Sequence, residues 1–293
     1  MSWAIIADSS CNLRDFHPTA PDAIYRFAPL KINIAGTEYA DDEHLDVDEL
    51  NRKVAEESSA SSSSCPSVGE WAELFRSAEN VIAITISANL SGSFEAAVMA
   101  QSMVQDEGGH NIYVLNSRAA GAKLELLVEE LDRYLAAQNP TFSEACDYIT
   151  KLEQNSTVLF SLSSYENLTK SGRMPKMAGI LANKLNIRML GTASDEGTIK
   201  VIGPTRGQKK TFEKIVAAMK SDGFAGGIVY IDHVANESGA MALKDRIVAE
   251  WPQAPVRVVP CGGLCSYYAE RDGFIIGFGW PSTQDGKYFT IEE

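Results

Sequence analysis

The apolar residues fall mostly in short solid runs. Trp3–Ala7, Val81-Ile-Ala-Ile-Thr-Ile86 and Asn111-Ile-Tyr-Val-Leu-Asn116 read as strands, the compact runs being those of a buried parallel sheet. Pro29–Ile34 alternates, as a strand with one polar face does. Helices are expected between these runs. Asp46 caps one through Glu57, and a capping box of Ser67 and Glu70, with Pro66 before it, opens a second from Val68 to Ala78. Phe94–Met103 and Gly121–Ala136 read as helices, and a second capping box, Thr141 with Glu144, opens one that runs to Gln154. Gly36–Asp48 reads as an acidic loop, and the serine run Ser58–Ser64 as a polar lead into the helix at Val68. Strand followed by helix, repeated, predicts an α/β fold whose N-terminal domain, residues 1–155, is a doubly wound, mostly parallel sheet.

The texture changes near Asn155. Thr157–Leu162 reads as a strand and Tyr165–Ser171 as a helical turn broken by Gly172. A short helix at Met177–Asn183 and a hairpin follow, the hairpin pairing Arg188–Ala193 with Thr198–Gly203 across Ser194-Asp-Glu-Gly197. Then come helix Gly207–Lys220, strand Gly227–Asp232, helix Ser238–Glu250, strand Val256–Val259 and a last strand over Gly273–Trp280. This half reads as a smaller α+β domain, residues 156–293.

Polar turns close the N-terminal strands: Asp8-Ser-Ser-Cys-Asn12, Asn89–Ser93 and Asn116-Ser-Arg118. Open α/β sheets bind ligands at the carboxyl ends of their strands, and a helix N-terminus favours an anion. Ser91 is placed to cap the next helix or to donate to a ligand, Gly92 lets a ligand approach the backbone, and Ser63 can face the same crevice. A serine nucleophile would need a base, and of the four histidines only His233, at a strand end, is placed like one. There is no G-x-S-x-G elbow, so ligand hydrogen bonding is the better use of these hydroxyls. Cys261-Gly-Gly-Leu-Cys265 lacks a second ligand pair and reads as a small-residue turn, not a zinc site. Gly203-Pro-Thr-Arg-Gly-Gln-Lys-Lys-Thr211 lacks the spacing of a phosphate loop. Arg173, beside Gly172 at the domain junction, is a candidate contact to a carboxylate or phosphate.

Composition narrows the ligand. The 293 residues are 45% hydrophobic, enough for a substantial core, and carry a net charge of -13. That charge argues against nucleic acid and against charge-driven binding to an anionic membrane, so an anionic ligand must be held by local donors. The N-terminus lacks a basic start, and no apolar run approaches the ~20 residues of a spanning helix. Five scattered cysteines suit reduced thiols, so a cytoplasmic location is expected.

Several of these motifs together resemble the DegV family of lipid-binding proteins. Asp8-Ser-Ser is similar to its D-S-[ST], Ser63-Ser-Cys-Pro-Ser67 to its T-S-Q-P-S, and Ile86-Ser-Ala-Asn-Leu-Ser-Gly-Ser-Phe94 to its I-S-S-x-L-S-G-T-Y. Asn116-Ser117 sits where the family has Asp-Ser. Lys170-Ser-Gly-Arg-Met174 resembles K-G-G-R-I, Leu185-Asn-Ile-Arg188 resembles L-N-I-K, and Thr205-Arg206 is similar to a later basic motif. The resemblance implies two α/β domains with a fatty acid buried between them and no cofactor. It implies the acyl-carrying subunit of a fatty acid kinase, not catalytic alone, whose separate ATP-using partner phosphorylates the carboxylate. By the same match, Ser63 and Ser91, with Ser64 and Gly92 beside them, would hold the carboxylate. Arg173 and Arg206 would lie near the head group or the kinase-facing surface. The family's H-T-G-P-G segment has no counterpart: Tyr268-Ala-Glu-Arg-Asp-Gly273 stands there without a histidine. That departure bears on presentation to a kinase more than on binding. The competing readings are a serine hydrolase or acyltransferase, and a carrier of another anionic small ligand.

Overall fold

The structure, a computed structural model, describes residues 2–56, 61–174 and 187–279. Its first sheet is parallel, in the order β2-β1-β6-β7, with β1 Trp3–Asp8, β2 Ala23–Ala28, β6 Asn80–Thr85 and β7 Asn111–Asn116. Every residue of β1 and β6 is buried, as solid apolar runs require. Helices α2 (Val68–Phe75) and α3 (Ser93–Glu107) cover one face through Trp71, Phe75, Ala97 and Val104. On the other face lie α4 (Ala122–Gln138) and α5 (Phe142–Gln154). Both capping boxes form, at Ser67 with Glu70 and at Thr141 with Glu144. Asp46 caps α1 (Val47–Glu56), its Oδ1 accepting from the Glu49 N–H at 2.9 Å.

Four strands depart from the sequence reading. β2 precedes the expected Pro29–Ile34 strand, which is itself shortened to β3 (Lys31–Ile34). The expected acidic loop begins as β4 (Thr37–Ala40), a hairpin partner of β3. The serine run is β5 (Ser61–Ser64), antiparallel to β3 with Ile32 opposite Ser63, so a separate sheet runs β4-β3-β5. Pairing with β3 satisfies one side of the β5 backbone, and its alternation is one of burial, which hydrophobicity alone does not reveal.

The second large sheet runs β10-β9-β8-β13-β11-β12. Its strands are β8 (Ser156–Leu162), β9 (Ile187–Ala193), β10 (Ile199–Arg206), β11 (Val229–His233), β12 (Val256–Pro260) and β13 (Phe274–Gly279). All pairs are antiparallel except β11 with β12. Helices α7 (Gln208–Ser221) and α8 (Glu237–Glu250) pack on the outer face against Leu159, Ile231 and Ile276. α6 (Glu166–Lys170) and α9 (Gly263–Ala269) sit at the seam between the halves. The expected helix at Met177–Asn183 and the final Trp280 lie outside the described residues.

α4 is the element shared by both halves. It packs on β13 and β11 on one side and on β1 and β6 on the other. Its first turn reaches β13 because Gly277 has no side chain: a Cβ there would come within 2.3 Å of the Ala122 carbonyl carbon. Among the described residues, no helix is long and apolar enough to cross a membrane.

Candidate functional site

The two serine-bearing segments are held by buried polar anchors. Asp8, at the end of β1, is fully buried. Its Oδ2 accepts from the Ile86 N–H at 2.8 Å and from Ser93 Oγ at 2.7 Å, while Oδ1 accepts from Ser10 Oγ at 2.6 Å. Burial pushes its pKa up, and these hydrogen bonds partly offset that. Asp8-Ser-Ser is therefore a pin that shapes the turn between β6 and α3. Within that turn the Ser91 and Leu90 N–H groups both donate to the Ser87 carbonyl, and Ser91 Oγ accepts from the Ser93 N–H at 3.3 Å.

The other serine comes from β5. Strand alternation turns Ser61 and Ser63 inward, where they meet two consecutive tyrosines of α9. Ser61 Oγ lies 2.6 Å from Tyr267 Oη and Ser63 Oγ 2.7 Å from Tyr268 Oη. α9 replaces the small-residue turn expected over Cys261–Cys265. Asp41, from the β4–α1 loop, caps its start: Oδ1 accepts from the Gly263 N–H at 2.7 Å and Oδ2 from the Leu264 N–H at 3.0 Å. Arg14 Nη2 holds Asp41 in place at 2.9 Å. The two glycines leave room for their neighbours, since a Cβ at Gly262 would fall 2.1 Å from Arg14 Nη2 and one at Gly263 2.4 Å from Leu45 Cδ2.

Ser63, Ser91, Arg173 and Tyr268 all border one cavity at the seam, with about 840 Å³ of free space including its mouth. The rest of the wall is largely apolar. Leu30, Ile86, Leu90 and Leu264 surround the serine end, and Val158, Phe160 and Leu162 line the cavity from one face of β8. Ile275, Ile199 and Ala193 continue that surface. Arg118 also reaches the wall, but its guanidinium is paired with Glu153, which in turn takes Lys123 Nζ at 2.8 Å. Arg173 donates from Nε to the Leu90 carbonyl at 3.0 Å, and its guanidinium carbon stands 5.4 Å from the centre of the Tyr268 ring. It thus ties the serine turn to α9.

Not every expected residue is brought here. Ser64 sits on the opposite face of β5 and is exposed, as the two-residue period of a strand dictates. Gly92 is exposed at the start of α3 with φ −73°, a conformation open to any residue. Arg206 is exposed at the far end of β10 from the hairpin turn and is not among the cavity residues. Tyr268 is the functional candidate that sequence reasoning missed; its signal was its place at the head of the segment that lacks the family histidine. His233 is also not among the cavity residues: its Nδ1 accepts from the Asn236 N–H at 3.3 Å, and burial holds its pKa below the ordinary value. Cys265 borders the cavity, but burial keeps its thiol protonated far above neutral pH.

Comparison with known proteins finds relatives over nearly the whole chain. A family model described as an uncharacterised protein of the DegV family matches residues 2–278. A DegV domain-containing protein of Streptococcus pneumoniae is 36% identical over 279 residues, covering 95% of this chain and 99% of the relative. Among solved structures, the Streptococcus pneumoniae fatty acid kinase B3 protein loaded with linoleic acid superposes with a TM-score of 0.92 at 35% identity, covering 95% of this chain and 99% of that one. A DegV family protein from Eubacterium eligens loaded with heptadecanoic acid gives 0.90 at 30% identity, with the same coverage.

Proposed function

This chain belongs to the DegV family, and from that premise we propose that it binds one long-chain fatty acid at the seam and presents the carboxylate to a separate ATP-dependent kinase subunit. The observation that carries the proposal is the cavity itself: Ser63, Ser91, Arg173 and Tyr268 border a space whose other lining residues are mostly apolar. Ser63, Ser91 and Tyr268 supply donors to the carboxylate, with the Arg173 charge beside them. Each hydrogen bond to a charged group contributes about 1.5–3 kcal/mol. The tail runs across β8, β9 and β10, where Phe160, Ala193 and Ile199 stay partly exposed and would be covered by hydrocarbon. At about 0.8 kcal/mol per buried CH₂, the tail supplies most of the gross affinity, before ordering costs reduce it.

In this proposal the chain is a cytoplasmic carrier with no catalysis of its own, and residues 1–155 and 156–293 are its two units. Arg206, exposed beside Lys209 and Lys210, faces the partner rather than the ligand. A serine hydrolase is disfavoured because Ser63 pairs with a tyrosine and none of the four histidines is a cavity residue. Lipid extraction of protein purified from cells, followed by mass spectrometry, tests the proposal. One fatty acid per chain is expected, with no labelling by a fluorophosphonate probe. Another anionic ligand in its place, or a labelled serine, contradicts it.

A further inference from the structure

β8, β9 and β13 lie side by side, and Ile275, Phe160 and Gly191 are directly opposite one another across them. Opposite residues point to the same face of a sheet, and here that face is the cavity floor, bordered by Ile275 and Phe160. Gly191 leaves a notch in the floor. The Phe160 ring lies in it: a Cβ on residue 191 would fall 2.2 Å from Phe160 Cζ and 2.3 Å from Cε2. The ring has leaned away from Ile275, over β9, and occupies space that any other residue at 191 would fill.

We infer that Phe160 and Gly191 together set the bore of the acyl cavity and thereby the chain length the protein accepts. The inference rests on the fatty-acid reading and deepens it. A side chain at 191 forces the ring back toward Ile275, across the path of the tail. A smaller side chain at 160 widens that path. The two changes act in opposite directions on one ligand property, which a general loss of packing would not do.

The test is competition of saturated fatty acids, from lauric to arachidic, against a fluorescent fatty acid on the delipidated full chain. Gly191→Ala is expected to move the preferred length down by one or two methylenes, each excluded methylene weakening binding about fourfold. Phe160→Leu is expected to move it up. Should Gly191→Ala fail to fold, since its Cβ also comes 2.9 Å from the Lys200 carbonyl oxygen, Phe160→Leu alone decides. An unchanged length profile, or a shift in the same direction for both variants, overturns the inference while leaving fatty-acid binding intact. Failure of the wild-type chain to bind any member of the series overturns the fatty-acid reading itself.

Discussion

Glu125 of α4 and Asp232 of β11 are fully buried side by side. Asn12 bridges them, its N–H donating to Glu125 Oε1 at 2.9 Å and its Nδ2 to Asp232 Oδ2 at 2.7 Å. The remaining oxygens, Glu125 Oε2 and Asp232 Oδ1, have no hydrogen-bond partner. One shared proton satisfies both. Burial raises both pKa values, Asp232 furthest, with the Glu125 charge adding to its rise. The native pair therefore holds protons that the unfolded chain releases above about pH 4. Stability should fall as pH rises from there toward the pair's native value, by about 1.4 kcal/mol per pH unit for one proton. Arg14, Cys11, Cys261, Cys265 and Tyr230 lie around the pair. Urea titrations at stepped pH should show that slope in the wild type and a flatter one in Asp232→Asn, whose amide supplies the missing donor. Equal slopes would rule out the shared proton. At the head-group end, Tyr268→Phe removes one donor and should weaken fatty-acid binding about tenfold or more, with undiminished affinity counting against a role for that hydroxyl. Neither residue was legible as functional in the sequence. Glu125 lies amid the charges of a long helix, and Tyr268 meets Ser63 only across a fold-level contact.

The elements that sequence captured are those whose cause is local. Capping boxes at Ser67 and Thr141 and the solid runs of β1 and β6 carry their own signals. β5 and α9 do not. The serines of β5 become a strand because β3 pairs with them, and α9 begins where Asp41, 222 residues away, caps Gly263. The β9–β10 hairpin was legible, but what its tip touches was not. Ser87 Oγ donates to the Gly197 carbonyl at 2.7 Å and Asn89 Nδ2 to that of Glu196 at 2.6 Å, latching the tip to the turn that carries Ser91. Gly197 has φ +81°, and a Cβ there would meet Ser87 Oγ at 2.3 Å. Gly197→Ala should therefore unseat the tip, destabilising the chain by about 1–3 kcal/mol and speeding ligand release. Wild-type melting and release rates in that variant would contradict the latch.

Across the whole molecule, the doubly wound parallel sheet and the α+β layer were both legible, because buried strands and their helices follow one another in the chain. The seam was not. It depends on α4 lying between two sheets, and on glycines of β13 that permit the contact. Which apolar residues would wall the cavity also waited on the fold: Val158, Phe160 and Leu162 are distinguished from Leu159 only by the face of β8 they occupy. The account as a whole holds that the serine end grips a carboxylate and the rest accommodates its chain. Calorimetric titration of the delipidated protein with palmitic acid and with hexadecanol, repeated on the Ser63→Ala/Ser91→Ala double variant, addresses this most directly. The account predicts that the variant loses at least tenfold in affinity for the acid and keeps its affinity for the alcohol. Unchanged affinity for the acid, or an equal loss for both ligands, would contradict it.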